Sequence, residues 1–468
     1  MMGSGFRVRM TPQLHLYALL GFLTILAVFG GGSRVDIQSL LLVRPFTVLA
    51  CAFALIVASP GGLRAIRVPL VLLLLFMAWH LLQLVPLPPS IWQALPGRGL
   101  VEEIDGAAGL GELWRPLTMS PSLTLNSFFS LFAPLAALLL FGNTQSRDRV
   151  WVLVWLCALA TVSAVLAILQ SGGSANGPLY FYAITNVGYP NGLFANRNHQ
   201  SFLLAISIFT VLWLVASGRF RWASGTAGKI IAAVFVLMVL PLILATGSRA
   251  GLGLSLLSLV AGLGLVWISP EFAGKVSLGR AVRFPQRYLI AGFAALLALL
   301  GAGMVLAARD VALARLIEDG SSSDIRSGAL PTLLDMAAQH WFLGGGMGSF
   351  DRMFMIAEPD SLLGPRYLNE AHNDFLQIVI EGGVPAVALL ICGAIWLAVA
   401  CVWIIAGRKV LQTAAIPAMW GIACLGMASV FDYPLRVPSL AALFAILVAI
   451  VSAVRFDLRS PSRQASAR

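Results

Sequence analysis

The chain has 468 residues, of which 59% are hydrophobic and only 11% are charged. An ordinary soluble domain carries about 25% charged residues, so this composition excludes a string of soluble domains and indicates an all-α polytopic membrane protein. The formal net charge of +11 does not indicate nucleic-acid binding, because the cations cluster in short segments between apolar runs.

Apolar runs of about 17–25 residues can cross the hydrocarbon core as helices. The first of them follows a basic stretch without a small-residue cleavage site, which predicts a retained helix. All five cysteines lie inside apolar runs, which favours small buried side chains over disulfides or a zinc site. In chain order the sequence predicts about twelve spans, at 14–30, 39–58, 68–87, 123–142, 150–170, 201–217, 230–246, 251–268, 289–307, 384–406, 412–431 and 438–454.

The distribution of charge predicts the orientation of these spans. With a cytoplasmic N-terminus, the cytoplasmic segments carry 19 Lys and Arg residues against three acidic residues, and the outer segments carry 11 arginines against 17 acidic residues. Cationic loops stay in the cytoplasm, so both termini are predicted there. The chain then divides into helices 1–9 at 1–307, a long helical periplasmic loop at 308–383, and helices 10–12 with a short cytoplasmic tail at 384–468.

Two polar side chains fall inside early spans. Arg44 is costly in hydrocarbon and is expected to face a polar cavity or to extend to the interface, with its role open. His80 is expected to hydrogen-bond between helices. The outward segment 88–122 contains two tryptophans and is expected to lie along the membrane interface, and its role is also open.

The turn Ala-Thr-Gly-Ser-Arg-Ala-Gly at 245–251 places Arg249 at the outer ends of two spans. Its glycines allow a close approach of backbone or ligand. One interpretation is an anion clamp, since a guanidinium contacts a phosphate or diphosphate at two points. The other is an arginine that anchors a helix end at the interface.

The loop at 308–383 holds eleven acidic residues, five arginines and two of the five histidines. Arg326 is either a second phosphate ligand or the partner of Asp324. The run 330–341 predicts a helix with Leu330, Leu333, Leu334 and Ala337 on one face. The following Gly-Gly-Gly-Met-Gly predicts a turn, because it lacks the Lys-Ser/Thr ending of a phosphate loop.

The strongest candidate for catalysis is His372, in Glu-Ala-His-Asn-Asp at 370–374. An imidazole accepts a proton near neutral pH, and Asp374 or Glu370 could orient it. In the alternative interpretation Asn373 and Asp374 cap the following helix. The histidines lack metal-ligand spacing, so no metal is expected. The weaker polar candidates at the outer face are Asn196, Asn198, His199, Asp432 and Arg436.

Together these stretches resemble the O-antigen ligase and O-antigen polymerase superfamily. The likeness covers about 190–440, and before 180 only the hydropathy matches. It is carried by Gly192 to Ser201, the 245–251 turn, the loop with Arg326 and a Gly-x-Gly segment before Phe350, Ala-His-Asn-Asp-Phe-Leu at 371–376, and Glu-Gly-Gly-Val-Pro at 381–385.

The resemblance implies a GT-C-like glycosyltransferase of the bacterial inner membrane with its active site facing the periplasm. It implies a glycan on undecaprenyl diphosphate as donor, inversion at the anomeric carbon, and no cofactor, metal or nucleotide sugar. By position, Arg249 and Arg326 would hold the donor diphosphate and His372 would be the general base. The supporting residues would be Glu370, Asn373, Asp374, Asn198 and Arg436.

Three functions remain open at this stage. A ligase would use lipid A core as acceptor, and a polysaccharide polymerase of the same superfamily would use another lipid-linked repeat unit; protein is a minor third acceptor. A transporter of lipid-linked sugar would carry ionisable groups deep in several spans and internal repeats. The sequence shows no such repeat, and Arg44 and His80 are its main intramembrane polar groups, which favours the enzyme.

Overall fold

The computed structural model describes residues 11–174, 177–272, 275–278, 282–285, 291–292, 320–364, 368–407 and 410–459. For 275–278, 282–285 and 320–327 it describes the backbone alone. Across these residues the chain is mostly helical, which confirms the all-α class. The exceptions are two small antiparallel pairs, β1 (Pro86–Leu87) with β2 (Arg115–Pro116) and β3 (Lys275–Leu278) with β4 (Val282–Pro285).

The helices follow one another along the chain with short connections. They are α1 (Pro12–Phe29), α2 (Leu40–Ile56), α3 (Pro60–Ala65), α4 (Arg67–Gln83), α5 (Pro89–Trp92), α6 (Gly99–Ala107), α7 (Pro121–Ser130), α8 (Phe132–Gly142), α9 (Trp151–Gly172), α10 (Arg197–Ala216), α11 (Arg221–Ser224), α12 (Thr226–Thr246), α13 (Arg249–Ile268), α14 (Gly320–His340), α15 (Phe350–Ala357), α16 (Asp374–Ile405), α17 (Ala415–Ala428) and α18 (Pro438–Arg459).

Within the described ranges, eight helices are long and apolar enough to cross a membrane, counting α7 and α8 as one, and α2, α4 and α17 are shorter apolar helices. The chain is therefore a membrane protein with several spans. These helices coincide with eleven of the predicted segments. The remaining one, 289–307, lies outside the described residues apart from 291–292, so the count of about twelve and the orientation stay predictions.

Helix α10 is the central helix of the bundle. Its membrane-spanning stretch is entirely buried, and it contacts α9, α12, α13 and α17. A helix surrounded by other helices has no solvated face, so its few hydroxyls need internal partners. Ser207 and Thr210 donate to the carbonyls four residues earlier, at 2.8 Å each. This packing fixes the start of α10, which carries several of the candidate residues.

Helix α16 begins at Asp374, ten residues before the predicted span at 384, and kinks at Gly383, whose φ is 58° and ψ −161°. Pro385 has no N–H to donate to the carbonyl of Glu381. That carbonyl instead accepts from the amide of Gly346 at 3.0 Å and from the side chain of Gln83 at 3.0 Å. Gly346 belongs to the predicted turn at 344–348, which is thus confirmed, and its hydrogen bond stabilises the kink in α16.

The buried face of α14 differs from the predicted one. Leu333 and Ala337 are buried as expected, but Leu330 and Leu334 are 48% and 53% exposed. The small Ala329 and the flexible Met336 complete the buried face instead. The packing below this helix accommodates side chains by their size and shape, whereas the prediction from the sequence used hydrophobicity alone.

Several helix ends meet at one end of the bundle, here called the polar end. The amide of Ser439 in α18 donates to Gly30 at the end of α1, and the amide of Ala195 donates to Gly31. The hydroxyls of Ser201 in α10 and Thr246 in α12 lie 2.9 Å apart. The amide of Asp374 donates to Ser429 just after α17. The candidate residues from distant parts of the chain therefore share this end.

Candidate active site

The centre of the polar end is a buried ion-pair cluster around Arg436. This side chain lies on the short 3-10 turn Pro434–Arg436, just before α18. Its guanidinium nitrogens lie 3.5 Å from Glu370, 3.3 Å from Asp374 and 3.0 Å from Glu381. One cation thus faces three carboxylates, which leaves this cluster with excess negative charge when all three are ionised.

Helix geometry brings two of these carboxylates to Arg436. Asn373 caps α16, accepting from the amide of Leu376 at 3.0 Å, which confirms the capping interpretation for this residue. From that start, Asp374, Gln377 and Glu381 fall on one face of the helix. Gln377 donates to Glu370 and to Glu381, at 2.5 and 3.2 Å, so it links the two carboxylates.

Burial sets the protonation of Glu370. It raises the pKa of the Glu370 carboxyl to about 7, although the adjacent Arg436 opposes the rise and Glu381 adds to it. The three carboxylates raise the pKa of Arg436 against the effect of its own burial. Arg436 therefore stays charged, while Glu370 changes protonation state near neutral pH.

His372 lies beside this cluster in a strained backbone conformation. Its φ of 51° makes it the one non-glycine residue with positive φ in the described part of the chain, and such strain is concentrated at functional sites. Its Nδ1 is buried and faces Oδ1 of Asp432 at 3.5 Å, while 15% of the side chain is exposed. The ring also packs edge-on against Tyr433, with centroids 4.8 Å apart.

Asp432 is therefore the carboxylate beside His372, rather than Asp374 or Glu370. Asn198, near the start of α10, donates to it at 2.6 Å. His199 points its Nε2 toward it from 3.9 Å. With Nδ1 toward a carboxylate, the basic atom of a neutral imidazole is Nε2. The arrangement suits a histidine that takes a proton from a bound hydroxyl group.

Arg249 begins α13 and is exposed. The preceding Ser248 caps the helix, accepting from the amide of Gly251 at 3.1 Å. Arg197 also lies close to this turn: an added Cβ at Gly247 would meet its Nη1 at 3.2 Å. Its guanidinium stacks on Tyr189 at 4.1 Å. The 245–251 turn thus carries Arg249 and contacts the side chain of Arg197.

The sequence-predicted site residues fall into two groups at the polar end. Asn198 and His372 meet at Asp432, while Glu370, Asp374 and Arg436 form the neighbouring cluster. Arg249 lies on a turn that packs against the same start of α10. The side chain of Arg326, on α14, lies outside the described residues. Sequence reasoning did not select Glu381, Gln377 or Arg197 as site residues and ranked Asp432 as weak. The available signal for Glu381 was its place at the start of the Glu-Gly-Gly-Val-Pro stretch at 381–385.

Comparison with known families identifies part of this chain. Residues 233–391 match the family model described as O-antigen ligase. The matched stretch contains Arg249, His372 and Glu381, whereas Asp432 and Arg436 lie beyond it. A search of curated proteins found no match.

Proposed function

We propose that this chain, a member of the O-antigen ligase and polymerase superfamily, is a membrane glycosyltransferase acting at the periplasmic face. It moves a glycan from undecaprenyl diphosphate to a hydroxyl of lipid A core. The observation that carries the proposal is the His372–Asp432 pair beside a cationic turn, at one end of a bundle of apolar helices. A periplasm without ATP calls for a donor that is already activated.

The transfer is a single displacement at the anomeric carbon. The acceptor oxygen forms the new bond to that carbon as its proton passes to Nε2 of His372, and the bond to the diphosphate breaks on the opposite face. Asp432 holds the imidazole by Nδ1 and stabilises the imidazolium that forms, a role that orienting carboxylates fill in other enzymes. The product is inverted at that carbon.

The diphosphate leaves with negative charge, which the site must stabilise. Arg249 supplies a planar donor for it, and the guanidinium of Arg197 lies close to Gly247 of the same 245–251 turn. Arg326 belongs to the same proposal as a second ligand. The carboxylates around Arg436 carry the opposite charge, so the diphosphate belongs beside the turn and the acceptor hydroxyl belongs beside His372.

The test is a transfer assay on purified protein with a lipid-linked donor. His372→Ala should lose at least about a hundredfold in rate, since general-base catalysis contributes about 10²–10⁴-fold. The protein should still reach the membrane and unfold at the same temperature. His15→Ala, in the first turn of α1, is the matched control and should transfer normally. Retained transfer in His372→Ala would remove the base from the proposal.

Ligase and polymerase activity are separated by a strain that lacks this protein. A long lipid-linked polymer with bare lipid A core would indicate a missing ligase. Single repeat units on lipid or at the cell surface would indicate a missing polymerase, in which the acceptor is a second lipid-linked repeat.

A further inference from the structure

An open groove lies at the polar end, between α2 and α7. Its empty space of about 380 Å³ includes the open surroundings. Polar side chains line it from three elements: Ser33 before α2, Arg44 in α2, and Asn126 with Ser130 in α7. Residues 126–132 are all partly buried, whereas residues 133–142 in α8 are all buried. The outer part of this helix pair therefore faces an open groove.

Arg44 is the cation available in this groove. Its Nε is buried and has no hydrogen-bond partner among the residues that the structure describes. No carboxylate in those ranges lies within ion-pairing distance of it. Arg436 also lines the groove, but its guanidinium is already paired with three carboxylates. Arg44 is the fifth residue of the apolar helix α2. A buried guanidinium nitrogen there needs a polar or anionic partner, and the groove offers it space for one.

The remaining walls of the groove are mainly apolar, apart from Thr47, whose hydroxyl donates to the backbone carbonyl of Arg44 at 2.9 Å. Leu40 and Val43 of α2 and Phe129 of α7 contribute to them. On the outside of α2, Leu41 and Leu49 are 78% and 68% exposed, as expected of a helix that faces lipid. A ligand that pairs with Arg44 and also contacts the apolar lining of the groove has an anionic head and an apolar anchor.

We propose that this groove binds the phosphate group of a lipid-anchored molecule, with Arg44 as its cationic ligand and Asn126 and Ser130 as hydrogen-bonding partners. A phosphate oxygen pair fits the two-point geometry of a guanidinium. The groove shares Arg436 with the cluster beside His372. The bound molecule is the acceptor of the transfer, an assignment that rests on the proposed function. The acceptor has to bring a hydroxyl to His372 from the membrane surface.

The binding test uses the full-length protein in nanodiscs of phosphatidylcholine with a minor fraction of phosphatidic acid. Native mass spectrometry of the released protein should show phosphatidic acid retained over phosphatidylcholine. Arg44→Gln should lower that retention about tenfold, because one charge-assisted contact is lost, and Asn126→Phe, which fills the groove from another helix, should lower it likewise. Arg34→Gln is the matched control, because Arg34 pairs with Asp36 at 2.9 Å in the adjacent loop.

Equal retention by the wild type and Arg44→Gln, with both proteins folded, would overturn the site. Displacement of phosphatidic acid by inorganic phosphate alone would overturn the lipid anchor. In the transfer assay, Arg44→Gln should raise KM for the acceptor and leave KM for the donor unchanged. An unchanged KM for the acceptor would overturn the assignment to the acceptor. Normal transfer by His372→Ala would instead contradict the proposed function and leave the binding result standing.

Discussion

Replacing Arg436 by methionine tests the central cluster. Methionine keeps much of the volume of the side chain and removes its charge. In the wild type the guanidinium lies 3.0–3.5 Å from three carboxylates. Without it, Glu370, Asp374 and Glu381 lie together with no cation between them, and the folded protein has to protonate them or separate them.

The expected loss follows from the burial of these groups. Removing one partner of a buried ion pair destabilises a protein by about 3–5 kcal/mol, and here one cation serves three anions. Protonating the carboxylates relieves part of that loss at low pH, so the destabilisation depends on pH.

The direction of the pH dependence comes from Glu370, whose pKa is raised from 4.5 to about 7 in the folded wild type. A raised pKa gives stability that is complete below the unfolded pKa and is lost as pH rises through the folded pKa. In the wild type this loss ends near pH 7. Without Arg436 the pKa of Glu370 rises further, so the loss continues at about 1.4 kcal/mol per pH unit.

The measurement is the free energy of unfolding in mixed micelles at pH 7 and pH 9. The gap between the wild type and Arg436→Met should widen over that interval, by up to about 1.4 kcal/mol per pH unit for one carboxylate. Arg149→Met, which breaks an ion pair with Asp457 elsewhere in the bundle, is the control and should show no such widening. A gap that is the same at both pH values would refute the coupling of Arg436 to Glu370.

Four further predictions follow from the same geometry. Gly383→Ala should destabilise the protein by about 1–3 kcal/mol in thermal or chemical unfolding, since its Cβ would lie 2.6 Å from the amide nitrogen of Gly344. Gly393→Ala on the same helix should not, because its Cβ would make only an ordinary contact with Leu72 at 3.6 Å. Asp432→Asn should lower the transfer rate about a hundredfold or more and alter its pH profile; an unchanged profile would exclude Asp432 as the residue that orients His372. Arg249→Lys should reduce transfer at least about tenfold, and near-normal rates would favour the anchoring interpretation. Addition of a chelator to purified enzyme with lipid-linked donor should leave the rate unchanged, and inhibition would require a metal.

Placing Glu381 in the charged cluster of a membrane protein requires a kink in α16, and the kink leaves backbone groups that need partners. The kink at Gly383 exposes backbone carbonyls of α16, which Gly345, Gly346 and Gln83 then satisfy. Unsatisfied backbone groups are costly where water is scarce. The turn at 344–348, after α14, is therefore needed to place Glu381 against Arg436, although it touches neither His372 nor Asp432.

The sequence by itself determined the class of the protein, the position of most apolar helices and the polar stretches around Arg249 and His372. Those features depend on local composition and period, which a single chain displays directly. It also offered Asn373 as a helix cap in an alternative interpretation that the structure confirms, because capping is a contact between near neighbours.

Only the tertiary structure decided which carboxylate serves His372 and which carboxylates serve Arg436. Asp432 is 60 residues away along the chain from His372 and meets it because the start of α16 lies beside the end of α17. In the sequence Glu381 stands only as the residue before Gly382 and Gly383. The kink at Gly383 and the contact of Glu381 with Arg436 are seen only in the structure. Such pairings are set by how helices pack, and residues brought together by packing leave no periodic signal in the sequence.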